Sequence, residues 1–330
     1  MSLIGGKTGT KLPARSETRH HLHAAPPADE LALALEFARA EKSASTRRAY
    51  RSDFDAFRKW CEPRNLSALP ATPTTLAAFI ATEAKRGVRV SSLGRRLCGI
   101  RFAHLLAGHS PPNQAEAVKA TFRGVRRKIG SAPKRKEPIT AERIRAMVKL
   151  APDNLTGMRD RALLLLGFAG AFRRSELVGL EVSDLKETPA GMLVRVRISK
   201  TDQERHGHVV AITPGTAACP IKALRDWLKA AGITAGPIFR SIFKGGKVSA
   251  NRLSDHAVAE IVKTYAAAIG VDPRSVSAHS LRAGFLTSAA RHGASVFKMM
   301  SVSRHKSVDA LSGYVRDTEQ FEDHAGAGLL

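Results

Sequence analysis

The sequence predicts a mainly α chain with one small β-sheet, an α+β fold in two parts. Three observations carry that expectation. Apolar residues recur three and four apart from about Glu30 to Ile129, and again in several stretches after Pro138, which is the period of a helix. Strand-like alternation covers Gly191 to Ile198, and a second Val- and Ile-containing run covers His206 to Ile212, so the two read as a single hairpin. Between the parts, Gly130-Ser131-Ala132-Pro133 followed by Lys134-Arg135-Lys136 reads as a flexible basic linker. A length of 330 residues suits two domains better than one. The expected divisions are a flexible tail over 1–28, a helical domain over 29–130, a linker over 131–138 and a second domain over 139–330.

Each element follows from its own signals. The tail is broken by Gly5-Gly6, Pro13 and Pro26-Pro27. Its His20-His21-His23 cluster reads better as part of a polar tail than as a metal site. Ser45-Thr46 can cap a helix whose apolar stripe is Tyr50, Phe54, Phe57 and Trp60. Its other face carries Arg47, Arg48, Arg51 and Arg58. Thr72-Pro73 opens a second helix ending near Gly87. Ser91-Ser92 opens a third through Leu93, Leu97, Ile100 and Leu105, and a fourth runs from about Asn113 to Ile129. In the second part Thr140 can cap a helix through Met147 and Leu150. Arg161 to Phe168 reads as a core helix, and Lys200-Thr201-Asp202-Gln203-Glu204 as the hairpin turn. Helices follow over Cys219 to Ala230, Ser249 to Ile269 and His279 to Arg291.

Composition narrows the function. The formal net charge is +24, more than a fold needs, because self-repulsion opposes a compact chain. A polyanion would offset it, with nucleic acid first and an anionic membrane second. No run of eighteen apolar residues suits a transmembrane helix, and the N-terminus lacks a signal-peptide pattern. Cys61, Cys98 and Cys219 are scattered, which suits a reducing cytoplasm and buried small hydrophobes rather than zinc or disulfides. There is no phosphate-binding glycine loop.

The positive charge is also patterned. Between Glu83 and Glu116 the sequence has no acid but carries Lys85, Arg86, Arg89, Arg95, Arg96 and Arg101. Between Phe122 and Lys136 it again has none, and carries Arg123, Arg126, Arg127, Lys128, Lys134, Arg135 and Lys136. An ordinary solvated surface mixes signs, so single-sign faces read as contacts to a DNA backbone.

The candidate reactive residues lie after the linker. His279 and Arg282, three apart on a helix, share a face and suit a phosphate. His305 follows, then Tyr314, a candidate nucleophile. Upstream, Gly170-Ala171-Phe172-Arg173-Arg174-Ser175-Glu176-Leu177 adds further arginines. Taken singly, each has a bland reading: a solvated face, a surface ion pair, a packed tyrosine.

Together these boxes resemble the tyrosine recombinases, also called the phage integrase family. Arg173-Arg174-Ser175-Glu176-Leu177 is similar to the family's first arginine box, with Arg173 two before the serine. The glycine lies one residue further off than usual, or Ala171 stands in its place, so a register shifted by one would put Arg174 in the arginine position. His279 and Arg282 match the His-x-x-Arg box, His305 the second His/Trp position, and Tyr314 the nucleophile. Lys200 matches the hairpin lysine and Glu176 the acid supporting the arginine box. Arg304 stands where the family usually has glycine. The N-terminal helices resemble the family's core-binding, SAM-like domain. The resemblance implies a C-shaped clamp on double-stranded DNA and a homotetramer on two paired sites. A C-terminal tail would dock into a neighbouring protomer through Val315, Phe321 and Leu329-Leu330; the alternative is that Phe321 folds back on its own domain.

It also implies a chemistry. Arg173 and Arg282 would grip the non-bridging oxygens and His305 would donate to them. His279 would accept the tyrosine proton or donate one, and Lys200 would protonate the leaving 5′ oxygen. Tyr314 would carry a 3′-phosphotyrosine, which conserves the bond energy, so neither ATP, metal nor other cofactor is expected. The expected function is site-specific DNA recombination or integration, as in mobile elements, in the cytoplasm. A type IB topoisomerase, or a DNA-binding protein without catalysis, are the alternatives.

Overall fold

The computed structural model describes residues 27–130, 136–197 and 207–316. The chain divides into two compact units, with the boundary after Pro133. The tail, with its three histidines, and the residues after Arg316 lie outside the described residues.

The first unit is all helical: α1 (Ala28–Ala40), α2 (Ala44–Cys61), α3 (Pro73–Lys85), α4 (Val90–Leu106) and α5 (Glu116–Ile129). The stripe on α2 faces inward as its spacing implies. Phe57 is fully buried, with its ring 4.9 Å from Phe79, and Trp60 stands edge-on to Phe79. Leu76, Ile80, Leu93, Ile100 and Val118 complete this core. Some helix starts differ from expectation. Ser43, not Ser45-Thr46, caps α2, because its hydroxyl accepts the Thr46 N–H. Helix α4 begins at Val90 and has no side-chain cap, and α5 begins at Glu116 after a short 3-10 turn. Thr72 caps α3 as expected.

The second unit holds α6 (Ala141–Lys149), α7 (Leu155–Ala169), α8 (Arg174–Gly179), α9 (Pro220–Ala230), α10 (Asp255–Ala268), α11 (His279–Arg291), α12 (Val296–Ser303) and α13 (Asp309–Arg316). Its strands are β1 (Leu185–Thr188), β2 (Gly191–Val196), β3 (His208–Ile212), β4 (Arg240–Ile242) and β5 (Val248–Arg252). Helix α7 is central, with Leu163, Leu164 and Leu166 fully buried. The expected hairpin is β2–β3, antiparallel, with Met192, Val194 and Val196 turned into the core and paired with Ile212, Val210 and His208.

Two features of the β structure depart from expectation. A third strand, β1, extends the hairpin to three strands, and β4–β5 form a second, two-stranded sheet. The segment expected as the start of a helix at Ser249 is β5. The Gly245-Gly246 pair, at φ 93° and 84°, folds the chain back between β4 and β5, and the helix starts only after Ser254 caps it. The cysteines are free, but Cys98 is exposed rather than buried, because it lies on an outer face of α4, and Cys219 caps α9. No described helix is long and apolar enough to cross a membrane.

Helix α11 is anchored by the extended segment before α6. Glu137 and Ile139 donate backbone N–H groups to the carbonyls of Ser275 and Ser280, and Ala141 N–H donates to Ser288 Oγ. Gly284 allows this approach, since a Cβ there would lie 1.7 Å from the Ile139 carbonyl oxygen. A small apolar cluster of Leu286, Ala290, Met299 and Leu311 then joins α11, α12 and α13.

Candidate active site

Arg282, on the inner face of α11, is the centre of the site, with 1% of its surface exposed. Its Nη1 donates to the carbonyl of Ala171, 2.8 Å away, and Nη2 lies 3.2 Å from Nε2 of His305. Burial, then the charges of Arg173 and Arg304, pulls its pKa down to about 9, while Glu176 and Tyr314 hold it up, so it remains a cation at neutral pH.

The Ala171 carbonyl is available because the chain turns sharply after α7. Ala171 has φ 44°, the left-handed region. That is the backbone a glycine would take, consistent with Ala171 standing in a glycine position. The turn leads directly to Arg173, at the N-terminus of α8. Arg173 N–H donates to Glu176 Oε2 at 2.9 Å, and Arg173 Nη1 donates to Oε1 at 2.6 Å. Geometry separates the two adjacent arginines. The Arg173 side chain is 18% exposed and belongs to the cluster, while Arg174 is 53% exposed and turns away to Asp255.

His279, the first residue of α11, keeps an outer face in water. Even so, the surrounding protein mass, then Arg282 and Arg173, hold its imidazole below its ordinary value. His305 is lowered further, to about 4, by burial first and then by Arg282, Arg173, His279 and Arg304. His305 is thus neutral at pH 7. Tyr314 is half-buried on α13 against the α11–α12 cluster, close enough to Arg282 for its oxygen to act on that charge. The structure therefore brings together Arg173, Glu176, His279, Arg282, His305 and Tyr314. Lys200 lies outside the described residues, in the stretch of sequence between β2 and β3.

The residue that sequence reasoning missed is Arg304. It is buried, and its guanidinium reaches Glu176 Oε2 at 2.7 Å and the Ala171 carbonyl at 3.1 Å. The only signal was an arginine where glycine was expected.

The basic faces divide into two kinds. Arg47, Arg48, Arg51, Arg89 and Arg101 are exposed, as are Arg123, Arg126, Arg127 and Lys128 on α5. Arg123 pairs with Glu116. Arg86, Arg95 and Arg96 do not form an acid-free face: Arg95 makes a two-pronged bond to Asp53 at 2.7 and 3.0 Å, Arg86 pairs with Glu83, and Arg96 pairs with Glu83 as well. Packing of α2 and α3 against α4 places these buried acids beside Arg95 and Arg96, while Arg86, at the end of α3, meets Glu83 three positions back on the same helix. Lys136 donates to the Arg274 carbonyl, and Lys134 and Arg135 lie outside the described residues. Among the described residues, no group of three or more His, Cys, Asp or Glu side chains is placed to hold a metal.

Comparison with known proteins adds an independent line. Residues 137–320 match the phage integrase family, and residues 35–105 match the N-terminal SAM-like domain of phage integrases. An integrase/recombinase xerD homolog of Selenomonas ruminantium is 38% identical over 290 residues, spanning 86% of this chain and 85% of that protein. Tyrosine recombinase XerD of Proteus mirabilis is 28% identical over 282 residues, spanning 82% of each. The fold is similar to that of a lambda integrase dimer bound to a COC′ core site, with a TM-score of 0.56 at 19% identity over 88% of this chain and 94% of that one. With a family match over more than half its length and a relative 38% identical across most of both chains, the chain belongs to the phage integrase family of tyrosine recombinases, enzymes that break and rejoin DNA strands.

Proposed function

We propose that this chain is a site-specific DNA recombinase in which Tyr314 attacks a backbone phosphate and forms a 3′-phosphotyrosine. The observation that carries this reading is the convergence of Arg173, Arg282 and His305, drawn from three separate elements, beside Tyr314. Two guanidinium forks suit the non-bridging oxygens of a phosphate whose charge grows as the nucleophile arrives. His279, held neutral at pH 7, is suited to take the phenolic proton. Glu176 orients Arg173, and Lys200, which follows β2 in the sequence, is assigned the proton for the leaving 5′ oxygen. The ester conserves the energy of the broken bond, so rejoining is the same step reversed and no ATP, metal or cofactor enters it.

In this reading residues 29–130 bind DNA, 131–138 cross the backbone as a linker, and 139–330 carry the chemistry. The partners are double-stranded recombination sites, and the working assembly is a homotetramer on two paired sites, in the cytoplasm. The lambda integrase structure, bound to a core site, supports DNA as the partner.

The test uses a supercoiled plasmid carrying the DNA that flanks this gene. Stopping the reaction with detergent is expected to trap protein covalently on DNA, and nuclease followed by protease digestion to leave a nucleotide on the Tyr314 peptide. Equal relaxation of plasmids lacking that DNA would instead point to topoisomerase action.

A further inference from the structure

Arg304 combines two features that a residue ending a helix ordinarily avoids. It follows α12 with φ 59°, a left-handed backbone that glycine adopts without strain. It is also buried, with its side chain 5% exposed. Burying a guanidinium is unfavourable unless its donors are met. Here Nη1 and Nη2 are met by one carboxylate and three carbonyls, Glu176 Oε2 at 2.7 Å, Val302 at 2.6 Å, and Gly170 and Ala171 each at 3.1 Å, while the buried Nε has no partner among the described residues. The guanidinium also lies over the Phe172 ring, 5.1 Å from its centroid.

These contacts run to both arginines of the site. Glu176 is shared, with Oε1 held by Arg173 and Oε2 by Arg304. The Ala171 carbonyl is shared too, by Arg282 Nη1 and Arg304 Nη2. We propose that Arg304 is a positioning residue for strand cleavage: it clamps Glu176 and the Gly170–Ala171 turn, and so fixes the distance and angle between the Arg173 and Arg282 forks. A helix end needs no guanidinium, and filling the space needs no charge; only the pair of shared acceptors calls for a planar fork at this point. Being next to His305, Arg304 also fixes where that ring leaves the helix. This inference rests on the active-site reading given under the proposed function.

The test is Arg304→Gly, which removes the fork and relieves the backbone but leaves Glu176 Oε2 with the Arg173 N–H alone, so the melting temperature is expected to fall while the fold persists. Two readouts follow. In the absence of DNA, the side-chain nitrogen resonances of Arg173 and Arg282, resolved while each fork is held, are expected to broaden and merge. On the flanking-DNA plasmid, covalent adduct formation is expected to slow about 100-fold, the scale of an ångström-sized misplacement, with DNA affinity unchanged. Arg304→Lys, which can meet Glu176 but not both turn carbonyls, is expected to recover part of the rate, and it replaces the glycine variant if that one fails to fold. Unchanged resonances together with a wild-type rate would overturn the proposal. If wild-type protein forms no adduct at Tyr314, the proposed function fails instead, and the resonances alone still decide whether Arg304 positions the two forks.

Discussion

Ser303 Oγ lies 2.8 Å from Nδ1 of His305, while its own hydrogen goes to the Met299 carbonyl 2.6 Å away. With that hydrogen committed, Ser303 can only accept, so the His305 proton sits on Nδ1; Arg282 Nη2 approaches both ring nitrogens, at 3.3 Å from Nδ1 and 3.2 Å from Nε2, and only Nε2 is left to accept from it. For Nε2 to donate to a phosphate it must gain a proton, and the incoming anion is what favours that. Ser303 therefore fixes the tautomer of the His305 ring. Ser303→Ala is expected to slow adduct formation about tenfold and to mix the two tautomers, as read by nitrogen shifts of the ring. A single Nδ1–H tautomer in the variant would remove Ser303 from this role.

The lowered pKa of His305 links stability to pH. The folded value is about 4, below the ordinary 6.5, so the unfolded chain binds the proton more readily. Stability from this group is fully present above about 6.5 and is lost as pH falls toward 4. His305→Gln is expected to lose less stability than wild type between pH 7 and pH 4.5, by on the order of 2 kcal/mol. Urea unfolding of both proteins at the two pH values measures it, and equal losses would contradict the assignment.

Loss of either fork should be severe. Arg173→Ala and Arg282→Ala are each expected to lower the cleavage rate by about 100-fold or more, as for removal of a donor that meets developing charge. Arg174, turned toward Asp255, should tolerate alanine within about threefold, the range of a surface ion pair. Single-turnover cleavage by the three variants ranks them, and a larger loss for Arg174→Ala would place the wrong arginine in the site.

Tyr314→Phe removes one hydroxyl and keeps the ring that packs on α11 and α12. DNA affinity and melting temperature should stay near wild type while the covalent adduct disappears. An adduct formed by the phenylalanine variant would show that another residue attacks.

Salt dependence separates the two kinds of arginine in the first unit. Arg126, Arg127 and Lys128 are exposed at the end of α5, and replacing all three with neutral residues should reduce the slope of log affinity against log salt by about 0.9 for each DNA phosphate they pair with. Arg95→Ala should act differently, because it leaves the buried Asp53 carboxylate without its two-pronged partner. Its expected effect is a fall of about 1–3 kcal/mol in stability with little change in slope. Calorimetry and a salt titration distinguish these outcomes.

Local features were legible in the sequence because they depend on neighbours a few residues away. The inward stripe of α2, the bounds of α11 from His279 to Arg291, and the alternating β2 all follow from period and residue type. The order of the reactive residues was visible for the same reason. What the tertiary structure decided is who meets whom. Asp53 neutralises Arg95 from 42 positions away, so a stretch without acids in sequence is not without them in space. Arg173 rather than Arg174 enters the cluster because the left-handed turn at Ala171 aims one side chain inward and leaves the next in solvent. Arg304 meets Glu176 across 128 positions, and no periodicity encodes that pairing. Hydrogen bonds and ion pairs act over a few ångströms, and whether a charge is desolvated depends on all that packs around it, so their partners are fixed only when the chain has closed on itself.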